Sequence, residues 1–106
     1  MRRYASPLTM AALILSATAS AAAAAGNAAA GKALAESSCA SCHLVSPEQK
    51  SATTEAPPFT TIAKRPLEEI EELDAFLAAP HPPMPPVSLT RQQISDILAY
   101  IVSLKE

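Results

Sequence analysis

Three stretches of the chain place apolar residues at helical spacing, and the segments between them do not. From Asn27 to about Ser38, Ala30 and Leu34 recur at i and i+4, with Asn27 placed to cap the first turn. From Pro66 to about Ala78, Leu67, Ile70, Leu73, Phe76 and Leu77 fall at helical intervals. Pro66 suits a first helical position there, and Glu68 and Glu69 suit the positive end of the helix dipole. From Arg91 to Leu104, Ile94, Ile97, Leu98, Ile101 and Leu104 make a stripe; Thr90 and Gln93 have the spacing of a capping box, with Leu89 and Ile94 at the staple positions around it. Leu44 to Thr61 holds Pro47, Pro57 and Pro58 and keeps no period. Pro80 to Ser88 sets Pro80, Pro82, Pro83, Pro85 and Pro86 around Met84, and proline neither continues a helix nor donates to a sheet. No alternating strand pattern and no internal repeat is present. The pattern predicts an all-α fold of three main helices and long loops, and loops this long in a compact domain carry function or wrap a ligand.

The first 25 residues read differently from the rest. Arg2 and Arg3 precede an apolar run from Leu8 to Ala17, followed by small residues through Ala25 and then Gly26. This is the layout of a cleavable secretory signal peptide, residues 1–25, with cut sites of the Ala-x-Ala type and cleavage expected near Ala25. It leaves residues 26–106 as the functional domain. The competing reading is an uncleaved membrane anchor, since the uncharged stretch is of borderline length for spanning a bilayer. Either reading exports the domain, which places it in the periplasm.

Composition sharpens the picture of that domain. At 106 residues the chain has room for one domain. Beyond residue 25 it carries six Lys and Arg against ten carboxylates, a formal charge of −4 where the whole chain has −2. That balance argues against nucleic-acid binding and against a polybasic membrane surface. The domain has no Trp, and its aromatics are Phe59, Phe76 and Tyr100 alone. A core this poor in large side chains is marginal at this size, and two cysteines are too few for a disulfide scaffold. A bound apolar cofactor would make up the shortage.

The sequence names one. Cys39-Ala40-Ser41-Cys42-His43 is C-x-x-C-H, the attachment motif of c-type haem. On a helical turn, positions i, i+3 and i+4 share a face, so two thiols can bond the porphyrin vinyl groups while His43 reaches the iron as an axial ligand. A thioredoxin-type redox pair would need a βαβ context, and a zinc site would need a second cysteine pair. The only other histidine is His81. An ordinary disulfide leaves His43 and the export signal unexplained.

On these residues the chain resembles a class I c-type cytochrome of the short bacterial monohaem type, over nearly all of the exported part. Gly31, eight residues before the first cysteine, matches the glycine that lets the first and last helices cross closely. Ala56-Pro57-Pro58-Phe59 is similar to the turn whose backbone carbonyl meets the ligand histidine, with Pro57 as the carbonyl donor. Met84-Pro85 matches the loop that supplies the sixth ligand. Asp96-Ile97-Leu98-Ala99-Tyr100 is close to the acid and Ala-Tyr pair of the last helix. One position departs: Ala35 stands where the family often has Phe, with Leu34 beside it to fill part of the space.

The resemblance implies a small cytochrome c fold around one covalent haem c. Its thioethers come from Cys39 and Cys42, and its axial ligands are His43 and Met84. Among ligand candidates His81 competes with Met84. The function implied is a periplasmic one-electron carrier, not an enzyme, that docks transiently on redox partner proteins. A haem enzyme or gas sensor with a labile sixth ligand, or a tightly bound subunit of a larger oxidoreductase, are the alternatives. The acidic run Glu68, Glu69, Glu71, Glu72 and Asp74 reads first as a solvated helix face and second as a docking patch.

Overall fold

The computed structural model describes residues 25–80 and 82–105. Four helices follow in order: α1 (Ala28–Ser38), α2 (Phe59–Ala63), α3 (Leu67–Ala78) and α4 (Arg91–Ser103). No strand occurs among the described residues, and none of their helices is long and apolar enough to cross a membrane. The expected leader, apart from Ala25, and His81 lie outside the described residues.

The crossing of α1 on α4 is the frame of the fold. Asn27 caps α1, its side chain accepting from the Ala30 N–H at 2.9 Å. Its own N–H donates to Asp96 Oδ1 at 2.8 Å, which ties the start of α1 to the middle of α4. The face that α1 buries is Gly31, Ala35 and Cys39, at i, i+4 and i+8, whereas Ala30 is exposed and Leu34 packs at the edge of the core. The reason is close approach. A Cβ at Gly31 would overlap the Asp96 carbonyl, and one at Gly26 would overlap the Ser95 carbonyl. Two helices in backbone contact need small residues between them, so the buried stripe is the one that hydrophobicity marks least. Ala35 is fully buried, and Leu34 packs against the cluster beside it.

The last helix matches its cap signals and most of its stripe, but Leu98 is half-buried on a groove with Leu67, and Tyr100 takes a core place instead. The capping box is complete, with Gln93 N–H to Thr90 Oγ1 at 3.1 Å and Thr90 N–H to Gln93 Oε1 at 2.9 Å. Ile94, Ile97, Tyr100 and Ile101 are buried, and Leu89 packs on the core from outside the cap.

On α3, Pro66 is the cap, one residue before the helix proper, and Ile70 is buried. Leu73 and Leu77 pack on the core, but Leu67 does not join them and is 53% exposed. It sits on the first turn of α3, at the mouth of an open groove that it shares with Leu98 and Val102. The acids of α3 from Glu68 to Asp74 are all exposed.

The short α2 has no counterpart in the periodicity, which shows no element between Leu44 and Thr61. Five residues make little more than one turn, too few to display a period. Pro58 starts it, and it buries Phe59, Ile62 and Ala63. Phe59 lies between His43 and Tyr100, with ring centroids 5.4 Å and 6.4 Å away.

Candidate functional site

Cys39 is the C-cap of α1, and the chain continues for one more hydrogen-bonded turn. The Cys39 carbonyl accepts from Cys42 N–H at 3.1 Å and from His43 N–H at 2.9 Å. The motif therefore rides on a turn that prolongs α1, with Cys39 and His43 one helical bond apart. Two threonines of the following loop close over it. Thr53 donates to the Ser41 carbonyl through both its N–H and its hydroxyl, at 2.8 and 2.6 Å, and the Thr54 hydroxyl donates to the Cys42 carbonyl at 2.9 Å.

The His43 ring is held from the other side of that loop. Its Nδ1 lies 2.7 Å from the Pro57 carbonyl oxygen. A carbonyl can only accept, so Nδ1 is the N–H and Nε2 carries the free lone pair. Phe59 packs against the ring from the start of α2.

His43 and Met84 line one cleft of about 630 Å³ together with Cys42, Ala56, Pro57, Ile62, Leu73, Phe76, Pro83 and Pro85. That volume is within the roughly 300–1,000 Å³ of cofactor pockets. Cys39 opens on two smaller hollows that also contain His43 and Met84. One of them leads inward to Ile97 and Ile101 of α4. The α1 turn thus brings both cysteines and His43 to the cleft, while the proline loop brings Met84. Arg65, just past α2, is the one cation on the main wall among the described residues, and Glu55 the one carboxylate. Neither was marked by a sequence pattern: Glu55 is a lone charge in a loop, and Arg65, beside Lys64, is too far from the other cations to read as a patch. Cys39 is buried and Cys42 half-buried, and neither is in a disulfide.

These residues fit a covalently attached tetrapyrrole. Two thiols and an imidazole with a free Nε2 open on a cleft walled by Ile62, Leu73 and Phe76. An all-helical domain with this cleft is a c-type haem protein. The family model for cytochrome c matches residues 28–105, and the chain belongs to the cytochrome c family. It is also 45% identical, over 71 residues, to "Cytochrome c-552" of Bradyrhizobium diazoefficiens, a match covering 67% of this chain and 68% of that relative. No solved structure matches the chain significantly. Membership carries with it a covalent haem c and the role of a haem-based electron carrier.

Proposed function

We propose that the chain is a periplasmic one-electron carrier whose haem is bonded to Cys39 and Cys42 and whose iron is ligated by His43 and Met84. The observation that carries this reading is that His43 and Met84 line the same cleft, His43 with its Nε2 left free by the bond from Nδ1 to Pro57. When bound, the haem supplies the Fe(III)/Fe(II) couple. The chain supplies the rest. Cys39 and Cys42 anchor the macrocycle to the end of α1. Pro57 fixes the tautomer of His43, as outer partners of a ligand histidine do. Met84 is presented by a loop whose prolines leave few conformations, and its thioether favours the reduced state relative to a second histidine. Arg65 offers the cleft a positive charge that would meet the cofactor's carboxylates.

With His43 and Met84 both holding the iron, no position would be left for O₂ or peroxide, which favours a carrier over an enzyme. Ile62, Leu73 and Phe76, which wall the cleft, would keep water from a bound macrocycle. The haem so held would supply one electron at a time in transient complexes with redox partner proteins. Residues 1–25 serve as the export signal, and residues 26–106 as the working domain.

Met84→Ala tests the assignment. It should abolish the absorption band of Met–Fe(III) coordination at the near-infrared edge and lower the reduction potential. Haem staining should survive denaturing electrophoresis through Cys39 and Cys42. Persistence of the band in Met84→Ala would overturn the sixth-ligand assignment. Mass spectrometry of the exported protein should show residues 1–25 removed and one haem gained; a full-length, membrane-bound species would favour the anchor.

A further inference from the structure

The carbonyls of the haem-binding turn and the two residues after it are all occupied, and one side chain outside the motif accounts for two of them. From Ala40 to Val45, each carbonyl accepts from a donor beyond the motif: Gln49, Thr53, Thr54, Gln49 again, the Phe59 N–H and the Tyr100 hydroxyl. Gln49 Nε2 reaches three carbonyls, Ala40 at 2.7 Å, His43 at 3.0 Å and Ser51 at 3.1 Å, its two protons serving them with one shared. Its Oε1 accepts the Val45 N–H at 2.9 Å. Val45 is 1% exposed, so its N–H has no water to turn to.

The side chain reaches this place because the loop folds back on itself, with the Gln49 N–H bonded to the Ser46 carbonyl at 3.2 Å. The chemistry is specific to glutamine. The position needs an acceptor for Val45 and donors for two carbonyls at once. Glutamate lacks the donors, lysine lacks the acceptor, and asparagine is one methylene short.

We infer that Gln49 is a positioning residue for the axial histidine. Its amide fixes the backbone of His43 while Pro57 fixes the ring, and the two together set the plane of the imidazole on the iron. The inference rests on His43 being an iron ligand, as proposed above. An imidazole held at ring and main chain cannot turn freely about its side-chain bonds. Ligand orientation and outer hydrogen bonds are among the levers by which a protein tunes a haem. Releasing Gln49 lets the ring settle at a new angle.

The test uses the holoprotein in the oxidised state, read by proton NMR of the haem methyl groups, whose hyperfine shifts follow the imidazole plane, and by redox titration. Gln49→Ala should redistribute the methyl shifts while the Met–Fe(III) band stays. Gln49→Glu keeps the length and the acceptor for Val45, loses both donors, and adds a negative charge. It should redistribute the methyl shifts as well and lower the potential. Gln92→Ala, remote on α4, should change neither. Methyl shifts and potential unchanged in the Gln49 variants, with only a lower melting temperature, would overturn the inference. Failure of both variants to yield a haem protein would overturn it too, in favour of a purely architectural role. A wild type without the Met–Fe(III) band would count against the ligand assignment itself, so the two failures are distinguishable.

Discussion

The imidazole of His43 shows how much of this site is decided by single hydrogen bonds. The Pro57 carbonyl accepts a hydrogen bond from Nδ1–H and leaves the other ring nitrogen available to a metal. Of the residues proposed for the site, Cys39, Cys42 and His43 stand in a motif whose spacing is a local property of the sequence, while Pro57 and Met84 were expected from the family resemblance; the structure gathers all five around the cleft. Gln49 was marked by neither. A glutamine in a loop of Ser, Thr and Lys has no pattern, and its role exists only once the turn needs donors. Tyr100 lies between these cases. The resemblance marked it in the Ala-Tyr pair of the last helix, but its partner is 55 positions away: the hydroxyl donates to the Val45 carbonyl at 2.6 Å. Tyr100→Phe leaves that buried carbonyl unpaired, and should cost about 1–3 kcal/mol in denaturant unfolding of the holoprotein. Burial, with Glu36 and Glu48 adding to it, raises the Tyr100 pKa. The native state therefore binds this proton more tightly than the unfolded chain. Its contribution should be intact below about pH 10 and lost as pH rises further. Tyr100→Phe should lose that alkaline dependence.

Among the elements, the three helices with amphipathic periods lie within a residue of their expected bounds, since cap and stripe are both written in sequence. The burial within α1 is another matter. The stripe of Gly31, Ala35 and Cys39 is nearly featureless on a hydrophobic scale, and only contact with α4 makes it a core face. Gly31→Ala should therefore be costly. The obstacle is the Asp96 backbone, which cannot turn aside as a side chain would. A loss of about 1–3 kcal/mol is expected from overpacking, measured by the same unfolding experiment.

The second link between these helices is the Asp96 carboxylate. The Asn27 N–H and the Gln92 amide hold its pKa below the ordinary carboxylate value, against the opposing effect of desolvation. A lowered native pKa means that its stabilisation is fully present above the unfolded value of about 4 and fades as pH falls below it. Asp96→Asn should be less stable at neutral pH and should lose less stability between neutral and acid conditions than the wild type. An unchanged acid profile would show that this link carries no stability.

At the scale of the whole molecule, the haem completes a core that the chain alone leaves thin. The buried set is small, running from Ala35 and Val45 through Phe59 and Ile62 to Ile97, Tyr100 and Ile101, and a large cleft cuts into it between α2, α3 and the proline loop. Cys39→Ala combined with Cys42→Ala should leave a chain without covalent haem and with little stable helix, followed by circular dichroism and by haem staining after denaturation. A double variant that keeps both its helicity and its thermal transition would show that the core suffices without the cofactor.

In the function proposed, the iron is closed on both sides, by His43 and Met84, and so carries electrons without binding small ligands. Carbon monoxide titration of the reduced wild-type protein, followed by its absorption spectrum and run beside Met84→Ala, addresses it most directly. The expected result is a wild type that stays unchanged at CO concentrations that saturate Met84→Ala. Ready, reversible CO binding by the wild type would show an open iron and make the protein a haem sensor or enzyme.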